Sequence, residues 1–102
     1  MTADSGGRER ENLVVLQVIQ ALLGLISKNM KAISVRVLDD RIILYFALQG
    51  KVEEDDEEIQ DILFELDAIL GGSVQLDAEI YIGLPGLDWP GRSCRPVYWA
   101  KE

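Results

Sequence analysis

The stretch Lys31–Leu48, KAISVRVLDDRIILYFAL, decides the fold. It reads as two strands of alternating pattern joined at Asp39-Asp40. With those two residues as the loop, Leu38 faces Arg41, Val37 faces Ile42, Val35 faces Leu44 and Ile33 faces Phe46. Side chains alternate between the faces of a strand, so Ile33, Val35, Val37, Ile42, Leu44, Phe46 and Leu48 share one surface. Ser34, Arg36, Leu38, Arg41, Ile43, Tyr45 and Ala47 share the other. A slip of one residue would scatter the apolar set, so the pattern itself specifies the register. Asp-Asp is a weaker turn signal than Asn-Gly, but Asp tolerates the left-handed backbone that a two-residue turn favours.

Working outward toward the N-terminus, the spacing predicts a helix from about Arg8 or Glu9 to Ser27. Its stripe is Val15, Ile19, Leu22 and Ile26, widened by Leu16, Val18 and Leu23. Gln17, Gln20, Gly24 and Ser27 form a narrow polar strip. The apolar arc is wider than one sheet face needs, so part of it falls to the second helix or to a partner. Residues 1–7 are small and polar, and a disordered tail is expected there, with residues 8–102 forming a single domain.

On the other side, Gln49-Gly50-Lys51 breaks the strand, and six acids run from Glu53 to Glu58. Asp55 or Asp56 suits an N-cap, and acids in a first turn are favoured by the helix dipole. The run lacks the glycine and alternating ligands of a calcium loop. The helix continues to about Leu70 on Ile59, Ile62, Leu63, Leu66 and Leu70, and stops at Gly71-Gly72. From Ser73 to Ile82 the chain alternates again: Val74, Leu76, Ala78, Ile80 and Ile82 on one side, Gln75, Asp77, Glu79 and Tyr81 on the other. Gly83–Ser93 reads as loop, and a last strand spans about Pro96 to Ala100, with Pro96 at a strand start or edge.

The order is α-β-β-α-β-β, an α+β two-layer sandwich with a largely antiparallel sheet and both helices on one face. The face carrying Arg36, Tyr45, Gln75, Asp77, Glu79, Tyr81 and Tyr98 is expected to be uncovered. Trp89 is either an exposed anchor or a plug folded over the end of the core; Trp99 is expected in the core.

Chemistry is limited by what the chain contains. It has no histidine and one cysteine, Cys94. No Ser-His or Cys-His nucleophile arrangement and no structural zinc site can be assembled from that set. No phosphate-binding glycine loop is present. The Asp77/Glu79 pair could act as acid and base, but side-by-side acids on a strand are more often its wet face. No catalytic residue, cofactor or metal is therefore assigned, and a non-enzyme is expected. The net charge of −8 disfavours nucleic acid and suits a basic protein partner. No membrane span or secretory signal is read, so a soluble cytoplasmic protein is expected.

Size, acidity and arrangement, from leading helix and hairpin to the terminal VYWAKE strand, resemble the small bacterial immunity proteins of contact-dependent growth inhibition and related polymorphic toxin systems. The resemblance implies a non-enzymatic inhibitor that binds one toxin domain, often a basic nuclease, and blocks its active site. The residues expected to meet that toxin are Tyr45, Asp77, Glu79, Tyr81, Asp88 and Trp89, combining aromatic area with acids. The run Glu53–Glu58 is the rival surface. The alternative is a homodimeric structural or adaptor domain that pairs its uncovered sheet face with a twin, and a third reading makes Asp77, Glu79 and the Trp89 loop a small-ligand or enzymatic site.

Overall fold

A computed structural model describes residues 3–50 and 53–100, with side chains from Arg8 onward. Lys51 of the expected strand break, and Lys101-Glu102 of the terminal stretch, lie outside the described residues. Helix α1 spans Ala3–Leu22, β1 Met30–Val37, β2 Arg41–Leu48, α2 Glu53–Leu70, β3 Gln75–Ile82 and β4 Arg95–Trp99. A 3-10 helix, Pro90–Ser93, stands between β3 and β4 where only loop was expected.

The hairpin has the expected register: Val37 opposite Ile42, Val35 opposite Leu44, Ile33 opposite Phe46. A hydrogen bond from Leu38 N to Arg41 O, 2.8 Å, closes it. Asp39 and Asp40 turn without the left-handed backbone anticipated for them, since no described non-glycine residue has positive φ.

The sheet order is β3-β2-β1-β4. β1 runs antiparallel to β2 and β4, but β2 and β3 are parallel, so the sheet is mixed rather than largely antiparallel. The length of α2 explains this. Its 18 residues rise about 27 Å, and the eight residues of β2 span about 26 Å. The helix thus carries the chain back to the start of β2, and β3 sets out in the same direction. Gly71 and Gly72, at φ +74° and +71°, end the helix as expected.

Both helices pack on the predicted face. Val14, Val15, Val18, Ala21 and Leu22 of α1 and Ile59, Ile62 and Leu66 of α2 enclose Ile33, Val35, Ile42, Leu44 and Phe46. The face that α1 buries is rotated from the expected stripe, however. Val15, Val18 and Leu22 are buried as expected and Val14 and Ala21 join them, while Leu16 and Leu23 are 65% and 73% exposed. Val14, Val18 and Ala21 let the helix lie close to the sheet; of its leucines, Leu22 goes in while Leu13 and Leu16 face out. The helix also stops at Leu22, because Gly24 at φ +79° supplies a left-handed C-terminal residue. At the other end its backbone reaches Ala3, into the stretch expected to be disordered. A propagating helix needs no apolar residues once nucleated, so hydrophobic spacing marks only the part that meets the core.

Arg95 ties β4 to α1: its Nη1 donates to Glu11 Oε1 at 3.0 Å and to Asn12 Oδ1 at 3.1 Å. A register shift in β4 reverses the expected facing of its aromatics. Tyr98 sits opposite Ile33 and packs on the helix-covered core. Trp99, expected in the core, sits opposite Ala32 and is half exposed.

Candidate partner-binding surfaces

Two surfaces compete for the role of partner site, and the structure separates them by what each leaves accessible. The first is the sheet face away from the helices. In place of an open face, the loop after β3 folds back over its centre. Trp89 is 2% exposed and packs with Ala32, Ile43, Tyr45 and Ala47. An indole offers on the order of 200 Å² of apolar area, and the back of β1 and β2 supplies an apolar floor for it.

The closure depends on Gly91. A side chain there would meet Ser34 Oγ, Tyr45 Cβ and the Trp89 ring. Ser34 Oγ donates to Gly91 O at 2.7 Å, and Trp99 stacks edge-on to Trp89 with centroids 5.9 Å apart. Trp89 Nε1 is buried without a partner among the described residues, so apolar burial outweighs an unmade hydrogen bond.

Tyr45, expected at the surface, is therefore the floor of a second small core, and Trp89, read as either an exposed anchor or a plug, is its plug. Tyr81 is half-buried at its margin. Asp77, Glu79 and Tyr81 do lie together on the back of β3, opposite Ile43, Tyr45 and Ala47. Asp77 stands 3.5 Å from Arg41 Nε, and exposed Arg36 and Arg92 also belong to this side of the molecule. Asp88 is exposed on the loop. The charge of this face is mixed.

The second surface is the outward face of α2. The helix carries half of the chain's 18 acids and no base. Helical spacing sets Glu54, Glu58, Asp61 and Glu65 along one side of that face and Asp56, Gln60 and Asp67 along the other. Phe64 stands between them, 74% exposed. A groove of about 610 Å³ separates this face from β3, lined by Leu63, Phe64, Val74 and Leu76 with Asp61 and Asp67 at its rim. An exposed Phe on a helix that already buries Ile59, Ile62 and Leu66 contributes nothing to the core.

The start of α2 is held by a network that sequence reasoning did not anticipate. Asp55, expected as a solvated cap, is 2% exposed. It accepts a hydrogen bond from Ser27 Oγ at 2.7 Å and another from Asn29 Nδ2. Asn29 also clasps Gly50, donating to its carbonyl at 2.6 Å and accepting from its N–H at 2.9 Å. The connection after α1, the end of β2 and the first turn of α2 are thereby locked together. The signal was available: Asp55 falls on the same i, i+4, i+7, i+11 stripe as Ile59, Ile62 and Leu66.

Neither surface carries the makings of a metal centre: among the described residues no group of three or more His, Cys, Asp or Glu is placed to hold an ion. No described helix is long and apolar enough to cross a membrane.

The fold and its acidic helix thus match the arrangement from which the likeness to immunity proteins was drawn. The family model described as MafI2 immunity protein matches residues 11–82. The chain belongs to that family. The match runs from α1 through β3, so it takes in all of α2, the hairpin and the acids Asp77 and Glu79, and ends before Asp88 and Trp89. Membership among MafI2 immunity proteins makes the chain a toxin-neutralising protein of a bacterial polymorphic toxin system, with a cognate toxin as its partner. No curated protein matches the chain.

Proposed function

We propose that this MafI2 immunity protein neutralises a basic nuclease toxin of a contact-dependent growth inhibition or related system. It does so in the cytoplasm and without catalysis, by seating the outward face of α2 over the toxin's active site. The observation that carries this reading is Phe64, exposed at the centre of an acid-lined helix face without a single base. A nuclease must gather bases around its active site to hold phosphates. Carboxylates one turn apart on α2, at roughly 6 Å intervals for i, i+4 pairs, present those bases with a rigid polyanion. Field complementarity speeds encounter, and an aromatic anchor slows release.

A second reading keeps Asp77, Glu79, Tyr81 and Asp88 as the contact, with Tyr45 and Trp89 supporting them from beneath. It is favoured by the position of β3 at the sheet edge, next to the groove beside α2.

The test is reconstitution with the toxin domain encoded beside this chain. The purified toxin domain should degrade nucleic acid, and one equivalent of this protein should abolish that activity and form a complex whose association slows as salt rises. A toxin inhibited without complex formation, or a complex in which the toxin active site still turns over, contradicts the occlusion mechanism.

A further inference from the structure

The back of the sheet is not closed everywhere. β4 begins at Arg95, opposite Val35, so Arg36 and Val37 at the end of β1 have no strand on that side. A notch of about 460 Å³ opens there, between β1, the 3-10 helix and Glu11 of α1. Its walls collect hydrogen-bond donors that the fold does not use. Arg36 is exposed and meets no carboxylate among the described residues, whose ion pairs are Arg41–Asp77 and Arg95–Glu11. The exposed hydroxyl of Ser93 lines the notch beside it.

Tyr45 is 6% exposed, and its ring belongs to the small core under Trp89. Its hydroxyl has no partner among the described residues, yet it is not sealed in: the buried, unpartnered side-chain atom there is Trp89 Nε1. The phenol oxygen therefore emerges at the notch, which Tyr45 lines. The backbone supplies a further donor. Leu38 N donates across the hairpin to Arg41 O, so by strand alternation the N–H of Val37 points away from β2 and into the gap that β4 leaves.

We infer that this notch binds the phosphate group of a small phosphate monoester. The donors come from β1, β2 and the 3-10 helix, and so from several directions. A carboxylate accepts best near its own plane, whereas the oxygens of a phosphate are spread tetrahedrally and accept from several sides. The Arg36 guanidinium adds the planar fork that grips phosphate by two parallel bonds. The notch is larger than a single phosphate, and Val35 and Pro90 give an organic group an apolar wall. The net charge of −8 repels a nucleic-acid strand, which selects a small ligand. Arg95 is already neutralised by Glu11 at 3.0 Å. Arg36 thus supplies the uncompensated charge, and the Glu11 carboxylate on the same wall opposes the ligand.

The inference does not rest on the toxin surface of α2. Its test is calorimetric titration of the full chain with phenyl phosphate, inorganic phosphate and acetate at matched ionic strength. Phenyl phosphate should bind tightest and acetate weakest. Arg36→Gln, at an exposed position, should weaken phenyl phosphate about tenfold or more, as loss of a charged hydrogen bond does, and leave toxin neutralisation unchanged. Glu11→Gln should tighten it, because a like charge is removed. Cys94, the chain's one cysteine, lines the notch and reports the location. Phenyl phosphate should slow its alkylation by iodoacetamide in the wild type and not in Arg36→Gln. Absence of both binding heat and protection, binding that survives Arg36→Gln, weaker binding in Glu11→Gln, or binding that leaves Cys94 alkylation untouched would each overturn the inference. Acetate binding as tightly as phenyl phosphate would overturn the choice of phosphate, and inorganic phosphate doing so would overturn the monoester.

Discussion

Helices α1 and α2 lie on the same sheet face and bury comparable apolar stripes, yet their outward faces share almost nothing. That of α1 is rich in exposed leucine; that of α2 is acidic around one phenylalanine. The contrast teaches that the side of a helix facing the core accounts for the fold, and the side facing away accounts for the company the protein keeps. In both helices the outward apolar residues are large, although smaller ones would serve the domain's own stability.

The comparison is broken or sharpened most strongly by contrasting two phenylalanines. Phe46 is 0% exposed, and Phe46→Ala should cost about 3–5 kcal/mol in a denaturant titration. Phe64→Ala should leave the denaturation midpoint nearly unmoved. Equal destabilisation would mean that Phe64 serves the fold and not a partner.

Next in size is the anchorage of α2. Asp55→Ala leaves Ser27 and Asn29 without their acceptor, and should destabilise by about 2–3 kcal/mol. Neutralising the adjacent exposed Asp56 should change stability by no more than about 0.5 kcal/mol. Thermal melts of the two variants would separate a structural acid from a surface one within a single charge run.

On the far face of the sheet, Gly91→Ala places a methyl group against Ser34, Tyr45 and Trp89, and overpacking of this kind costs about 1–3 kcal/mol. Trp89 fluorescence should shift to longer wavelength as the plug loosens. An unchanged spectrum and midpoint would show that the loop is not held by this contact. The smallest expected effect is at the α1–β4 tie. The Arg95–Glu11 pair is 3.0 Å long and about two-fifths exposed at each end, and Glu11→Gln should cost no more than about 1 kcal/mol.

How much of this was legible beforehand follows the range of the interactions concerned. The hairpin register and the glycine stop of α2 depend on neighbours in sequence, and both were readable from alternation and from Gly71-Gly72. The parallel placement of β3 was readable in principle, from the match of helix and strand lengths. The orientation of α1 was not, because its apolar residues cover more of the helix than the sheet can bury. Which arc goes in depends on how closely Val14, Val18 and Ala21 let the helix approach.

The surface proposed from sequence was split by the structure. Asp77, Glu79 and Tyr81 do line one side of β3, but Tyr45 and Trp89 are buried together. What joins them is Gly91, 57 residues from its hydrogen-bond donor Ser34, a contact that no local pattern announces. Phe64 was passed over because the helix was read for the residues it buries. The most informative residue was the one that pattern left unused.

The central claim is that α2 carries the toxin contact, and one binding measurement tests it most directly. The toxin domain encoded beside this chain is titrated against two folded variants, one combining Phe64→Ala with Glu57→Gln and Asp61→Asn, the other Asp77→Asn with Glu79→Gln. The account predicts that the first loses affinity by about 2 kcal/mol or more, with Phe64 felt mainly in dissociation and the acids mainly in association. The second should bind as the wild type does. Affinity retained in the first variant and lost in the second would contradict the account and return the contact to the back of β3.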